Sequence, residues 1–250
     1  CANYPIPRAG RAEDVARAAL PFGVLLPGAV WVGVSADGMF AAVLAWGVAL
    51  LAVGATGRGV RADAAAVTGG VLVGSTLYLS YGLALGLILP AAVVAVTGRW
   101  RAAAFAGMGA SAVGVAFTAA GFWWLTGFSH VGVIYAASIA ASRPYSYFVW
   151  ANLAAVTFAV GPAVYAGVRR AVAAPRALPT AAALLVLAAL AAIVVADLTG
   201  LSKAEVERIW LPFAVWLVVP CALLLPRPRL WLSAQALLAL GVNHLLLTVW

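Results

Sequence analysis

The chain has 250 residues, of which 66% are hydrophobic and only 9% are charged, whereas an average soluble domain carries about 25% charge. Its mean hydropathy is +1.07 and its net charge is +8. A soluble domain of this length could not hide so much apolar surface, so the composition excludes a soluble enzyme, a disordered chain and a nucleic-acid-binding domain. The sequence predicts a multi-span membrane protein.

Apolar stretches of about 17–25 residues, bounded by charge, Pro or Gly, predict an all-α bundle of nine membrane-spanning helices in one domain, residues 1–250. The stretch 64–98 has no charged residue but is too long for one helix. It is therefore divided into two short spans at Ser80-Tyr81-Gly82. The predicted spans are, in chain order, 20–35, 39–55, the two within 64–98, 102–121, 148–168, 180–196, 209–225 and 230–249.

The Lys and Arg residues are divided unequally between the two sets of connections. Three lie at one set of helix ends, namely Arg143, Lys203 and Arg208. Twelve lie at the other set, namely Arg8, Arg11, Arg17, Arg58, Arg61, Arg99, Arg101, Arg169, Arg170, Arg176, Arg227 and Arg229. The positive-inside rule then predicts a cytoplasmic N-terminus and an external C-terminus in a cell membrane. The arginines are expected to meet anionic membrane lipids rather than nucleic acid. A polar site is expected at the arginine-poor, outer face.

Asp37 lies in an outer connection, directly before the second predicted span. Either Ser35 or Asp37 can cap that helix through its free N–H groups. The alternative is that the Asp37 carboxylate orients a polar ligand or acts as a base.

The outer segment 122–147 contains paired tryptophans, His130, Arg143 and Tyr145. The tryptophans are typical of an aromatic belt at the membrane boundary. Arg143 is either a snorkelling anchor or a bidentate partner for an anionic group such as a lipid phosphate. Aromatic faces beside Arg and His would suit a sugar ring and a phosphate.

The outer segment 197–208 has the densest charge in the chain. The run 202–205, Ser-Lys-Ala-Glu, fits a capping box, with its Ser as N-cap and its Glu reaching back. Lys203 and Glu207 are four residues apart and could pair on one helix face. Glu207 and Arg208 lead directly into the eighth span, where ionisable groups usually face a cavity. We expect this pair to orient a ligand or contact a phosphate.

Signals for cofactors are few. The two histidines, His130 and His244, show no metal-ligand spacing, and no Gly-rich phosphate loop occurs in a cytoplasmic connection. No cofactor is expected, and the sequence leaves a divalent metal open. The chain opens at Cys1 without an initiator Met, and we expect it to be a C-terminal portion of a longer protein that lacks upstream spans.

Several runs resemble actinobacterial polytopic glycosyltransferases of the GT-C type. These are Gly200-Leu-Ser-Lys-Ala-Glu-Val-Glu-Arg-Ile-Trp-Leu-Pro-Phe213, Ser35-Ala-Asp-Gly-Met-Phe-Ala-Ala-Val-Leu-Ala-Trp46, Arg143-Pro-Tyr-Ser-Tyr-Phe-Val-Trp-Ala-Asn152 and the helix break Thr76-Leu-Tyr-Leu-Ser-Tyr-Gly82. The resemblance implies transfer of a sugar from a polyprenyl-phosphate donor to an acceptor at the outer face.

In such proteins catalysis rests on an acidic residue of the first outer loop, which we expect to lie upstream of Cys1. Asp37 is the candidate catalytic residue within this chain. The residues expected to contact the substrate or its carrier are Tyr81, His130, Arg143, Tyr145, Lys203, Glu207 and Arg208.

Two other functions remain open. A transporter or flippase of a lipid-linked intermediate would need a polar route through the spans, and few polar groups lie at mid-span. A non-catalytic membrane scaffold would bind partners through its apolar faces.

Overall fold

A computed structural model describes residues 12–225 and 227–245. Every regular element in these residues is helical, which confirms the all-α prediction. The α-helices are α1 (Ala12–Val24), α2 (Asp37–Thr56), α3 (Val60–Leu79), α4 (Ile88–Thr97), α5 (Trp100–Ala119), α6 (Trp124–Ala137), α7 (Ile139–Ser142), α8 (Tyr145–Ala173), α9 (Thr180–Leu198), α10 (Val206–Ile209), α11 (Leu211–Ala214) and α12 (Pro228–Leu245). Three 3₁₀ segments, Pro27–Val32, Tyr81–Leu87 and Val215–Leu224, complete the set.

Five helices are long and apolar enough to cross a membrane, namely α2, α3, α5, α8 and α9. The runs Tyr81–Thr97 and Leu211–Leu224 are apolar but shorter. The membrane class is therefore supported, whereas the count of nine spans stays a prediction. Residues 246–249 of the ninth predicted span lie outside the described residues.

The first predicted span, 20–35, is wrong as a single helix. Helix α1 begins earlier, at Ala12, and ends at Val24, and a separate 3₁₀ segment starts at Pro27. The reason is local, because Pro27 offers no backbone N–H and holds the preceding Leu26 in an extended conformation. In contrast, the predicted break at Ser80 is confirmed, since α3 ends at Leu79 and Ser80 is extended.

Small residues let α2, α3 and α5 pack in direct backbone contact. A Cβ built on Gly70 of α3 would lie 1.9 Å from the carbonyl oxygen of Ala106 on α5. One built on Gly109 of α5 would lie 2.2 Å from the carbonyl oxygen of Val67. These contacts exclude any larger side chain and fix α3 and α5 relative to each other.

Helix α8 is broken at Gly161, and the break is filled by a side chain from α12. Gly161 has a φ of +76°, a conformation that favours glycine, and Pro162 follows it. Fully buried Gln235 donates to the Val160 carbonyl at 2.7 Å and accepts from the Ala163 N–H at 3.2 Å. The amide thus replaces helical hydrogen bonds that the break removes.

Connections between other helices meet each of the two ends of α2. One end, called here the arginine-poor end, holds Asp37 at the start of α2 and the loop 199–205 after α9. The other, called the arginine-rich end, holds the turns after α2 and α4, which come together at Arg58 and Arg99. Of the twelve arginines assigned to that side, Arg8 and Arg11 lie outside the described residues.

Candidate functional site

An ionic cluster at the arginine-poor end is centred on Arg208 of α10. Its guanidinium donates to the Asp37 carboxylate at 2.9 Å and also contacts the Glu205 carboxylate. The exposed fractions of these side chains are 27% for Arg208, 10% for Asp37 and 44% for Glu205. Burial lowers the pKa of Arg208, but the hydrogen bonds to the two carboxylates outweigh burial and raise that pKa. The cluster therefore keeps a permanent cation between two carboxylates.

The backbone that carries this cluster is strained. Ala204 and Glu205 have φ values of +74° and +60°, and they are the only non-glycine residues with positive φ in residues 12–225 and 227–245. This left-handed conformation costs about 1–2 kcal/mol for each L-residue. Such strain persists only where neighbouring contacts enforce it, and it is concentrated at functional sites.

Buried Asn152 of α8 supplies the enforcing contacts. Its Nδ2 donates to the Asp197 carboxylate at 2.9 Å and to the Ser202 carbonyl at 2.7 Å. Its Oδ1 accepts from the Ala204 N–H at 3.3 Å. Asn152 and Asp197 are 2% and 4% exposed. One amide thus ties the end of α9 and the loop before α10 to α8, and so positions the Arg208 cluster.

The capping box predicted for residues 202–205 is wrong. Helix α10 begins at Val206, and Glu205 is its N-cap residue without a side-chain capping hydrogen bond. Lys203 therefore precedes the helix, and its predicted pairing with Glu207 on one helix face is also wrong. The Ser202 carbonyl and the Ala204 N–H bond to Asn152 instead, so long-range hydrogen bonds replace the local cap.

At the start of α2, neither predicted residue is the N-cap, which is Ala36 without a side-chain capping hydrogen bond. The Ser35 hydroxyl accepts from the Asp37 N–H at 3.3 Å, so Ser35 meets a free N–H group of the helix end. The Asp37 carboxylate instead pairs with Arg208, which lies 171 residues away in sequence.

Three other predicted residues lie on loop 199–205 or contact the chain at this loop. Arg143 donates to the Lys203 carbonyl, and the Lys203 ammonium lies 5.7 Å from the ring centre of Tyr135. The Tyr135 hydroxyl donates to the Gly200 carbonyl at 2.8 Å. The Tyr145 hydroxyl approaches the carbonyl of Leu198, directly before this loop, at 3.4 Å. Segment 122–147 is thereby held against loop 199–205.

Tyr81, His130 and Glu207 are not brought to the Arg208 cluster by any contact in the described residues. Tyr81 packs on Trp124, with ring centres 5.2 Å apart. Exposed His130 donates from Nδ1 to the Thr126 carbonyl at 2.8 Å, within its own helix α6. Glu207 follows Val206 on α10 and forms no ion pair in the described part of the chain. The acidic partners of Arg208 are Glu205 and Asp37 instead.

Sequence reasoning missed Asn152 and Asp197 and assigned Glu205 only a capping role. A usable signal was present, because a polar amide within the apolar run of α8 is costly unless it is hydrogen-bonded. Its partners could not be named from the sequence, since they lie 45 to 52 residues away.

Within the described residues, no group of three or more His, Cys, Asp or Glu side chains could hold a metal ion. No family model, curated protein or solved structure matches the chain. The chemistry of the site is therefore argued from its own residues.

Proposed function

We propose that the chain is a membrane glycosyltransferase of GT-C type, which transfers a sugar from a polyprenyl-phosphate donor to an acceptor at the outer face of a cell membrane. The observation that carries the proposal is the cluster of Arg208, Asp37 and Glu205, of which Glu205 lies on strained backbone, at the arginine-poor end. A guanidinium beside carboxylates suits a substrate that joins a phosphate to a sugar, because the cation pairs with the phosphate and the carboxylates accept sugar hydroxyls.

The positions of the buried polar residues favour this proposal over a transporter or flippase. Among the described residues they are Asp37, Thr76, Asn152, Asp197 and Gln235. Asp37, Asn152 and Asp197 belong to the arginine-poor end, Thr76 bonds to its own helix, and Gln235 fills the break in α8. They do not line a continuous polar route between the two ends.

The proposed step is a displacement at the anomeric carbon of the donor sugar. A bond forms between that carbon and an acceptor hydroxyl oxygen, and the bond from the same carbon to the phosphate oxygen breaks. The electron pair leaves with the polyprenyl phosphate, and a carboxylate takes the proton of the acceptor hydroxyl. Charge develops on the departing phosphate, where a preorganised guanidinium stabilises it.

The geometry divides these roles among three residues. Arg208 is the candidate to stabilise the phosphate. Asp37, only 10% exposed and bonded to Arg208 at 2.9 Å, is better suited to hold that guanidinium in place than to act as the base. Glu205, whose side chain is 44% exposed, is the better candidate to accept the proton. Arg143 on segment 122–147 and Lys203 on loop 199–205 are candidates for further donor contacts.

The test measures transfer of labelled sugar from polyprenyl-phosphate-linked hexoses and pentoses in membranes that contain the protein. Arg208→Lys and Glu205→Gln should each lower the rate about 100-fold, as removal of a transition-state contact usually does. The matched control is the exposed pair Arg17 and Glu13, and its variants Arg17→Lys and Glu13→Gln should stay near the wild-type rate. Rates within twofold of wild type for both site variants would contradict the proposal.

The sidedness of the site needs a separate test, because the choice of donor depends on it. In a chain carrying Cys1→Ser, a membrane-impermeant thiol reagent should label Lys203→Cys in intact cells and Arg58→Cys only after permeabilisation. Cys221 is buried and should contribute little background labelling. The reverse pattern would place Arg208 in the cytoplasm, where nucleotide-linked donors are present, and would exclude the proposed reaction.

A further inference from the structure

A polar cavity lies at the arginine-rich end, at the opposite end of α2 from Asp37. The turn between α2 and α3 and the turn between α4 and α5 lie side by side and enclose about 220 Å³. Each turn carries the same three residues, Thr-Gly-Arg, at positions 56–58 and 97–99. Arg58, Arg99 and Arg101 line the cavity.

The charges around this cavity do not balance. Its lining contains three guanidinium groups and one carboxylate, that of Asp63. Asp63 is already bound in a two-pronged contact to Arg101, at 2.7 and 3.2 Å. Arg58 and Arg99 form no ion pair within the described residues, although they line the same small space. An anion between them would remove their mutual repulsion.

Two further features of the backbone suit an anion. Helices α3 and α5 both begin at this cavity, and neither Gly59 nor Arg99 caps its helix with a side chain. Helix starts have free N–H groups, from which an anion can accept hydrogen bonds. A phosphate is matched by guanidinium groups in particular, because they bind it in bidentate fashion.

The two arginine turns are held at a fixed separation. Gly70 and Gly109 bring α3 and α5 into backbone contact, and the pair of Asp63 with Arg101 joins the same two helices at the cavity. The side chains of Arg58 and Arg99 are themselves exposed, so only the backbone of the two turns is held in place. A fixed backbone reduces the conformational entropy that is lost when both arginines bind one ligand.

We propose that this cavity binds the phosphate group of an anionic lipid. The lipid source follows from the position of the cavity, because α2, α3 and α5 are all candidate membrane spans and the cavity lies where they end. Trp100, the first residue of α5, is 76% exposed beside it, and exposed tryptophans at span ends are typical of the lipid head-group layer. The site is independent of the proposed transferase cluster.

The test compares retention of phosphatidylglycerol and phosphatidylcholine by the purified chain, measured by native mass spectrometry. The wild type should retain phosphatidylglycerol preferentially, and Arg58→Gln/Arg99→Gln should weaken that binding about 100-fold, roughly tenfold per arginine. The control for the loss of one charge is Arg176→Gln, compared with Arg58→Gln alone, since Arg176 is exposed in the α8–α9 connection and does not line the cavity. It should bind within twofold of wild type.

A variant that is expected to bind the lipid more tightly shows that a loss of binding in the double variant is not caused by misfolding. Asp63→Asn removes the cavity's carboxylate and releases Arg101, so it should raise the affinity for phosphatidylglycerol about fivefold. Equal loss in Arg176→Gln and in the double variant, or no gain in Asp63→Asn, would overturn the proposal. Inorganic phosphate bound by the wild type as tightly as phosphatidylglycerol would assign the cavity to a soluble anion and would overturn it as well.

Discussion

Replacement of Asn152 tests whether one buried amide holds the candidate site together. Asn152→Ala removes two donors and one acceptor and leaves Asp197, the Ser202 carbonyl and the Ala204 N–H without their partner. Asn152→Asp keeps the shape of the side chain but replaces both N–H donors with an oxygen. If the hydrogen bonds matter rather than the packing, both variants should destabilise the protein.

The magnitude follows from the three hydrogen bonds. A buried bond to a carboxylate contributes about 1.5–3 kcal/mol, and each bond to a backbone group contributes about 0.5–1.5 kcal/mol. Release of the strained backbone at Ala204, whose N–H Asn152 binds, returns about 1–2 kcal/mol. The net loss in the free energy of unfolding for Asn152→Ala is therefore about 2–4 kcal/mol. This corresponds to a lower melting temperature by about 4–16 °C for a chain of this size.

The assay is thermal unfolding in detergent, followed by circular dichroism. Asn243→Ala is the matched control, because Asn243 is exposed on α12 and has only a 3.4 Å contact with its neighbour His244. Its effect should stay within about 0.5 kcal/mol. If Asn152→Asp melts within 2 °C of the wild type, the hydrogen bonds of Asn152 do not position the loop, and the structural basis of the site is refuted.

Three further predictions concern backbone strain, helix packing and the helix break. Ala204→Gly should raise the free energy of unfolding by about 0.5–1 kcal/mol in denaturant titration, because glycine adopts a φ of +74° without the penalty of an L-residue. A lower free energy of unfolding in this variant would contradict the backbone strain. Gly70→Ala should lower the free energy of unfolding by about 3 kcal/mol in the same titration, because its Cβ would meet the Ala106 carbonyl oxygen at 1.9 Å. An unchanged denaturation midpoint would show that α3 and α5 can separate freely. Gln235→Leu should lower the free energy of unfolding by about 2–4 kcal/mol, because it leaves the Val160 carbonyl unpaired at the break in α8. Hydrogen exchange of the backbone amides around the break should also become faster.

The sequence by itself determined the membrane class and most of the helix boundaries. Long apolar runs can form only helices in a bilayer, and helix breaks follow from local chemistry such as the polar step at Ser80. It also identified Arg208, together with Glu207, as a costly charge near a span end, because burial of a charge needs a partner whatever the fold. None of these inferences required knowledge of which helices are neighbours.

Only the tertiary structure decided how these residues combine. Asp37 meets Arg208 across 171 residues, and no local pattern encodes such a contact. Glu205 rather than Glu207 is the acidic partner from the same segment, because Asn152 holds the preceding chain in a left-handed conformation and delays the start of α10. Helical spacing counted from residue 202 in the sequence therefore assigned the wrong side-chain partners within this segment. Long-range hydrogen bonds outweighed the local capping preference, and that competition is settled only when the helices pack.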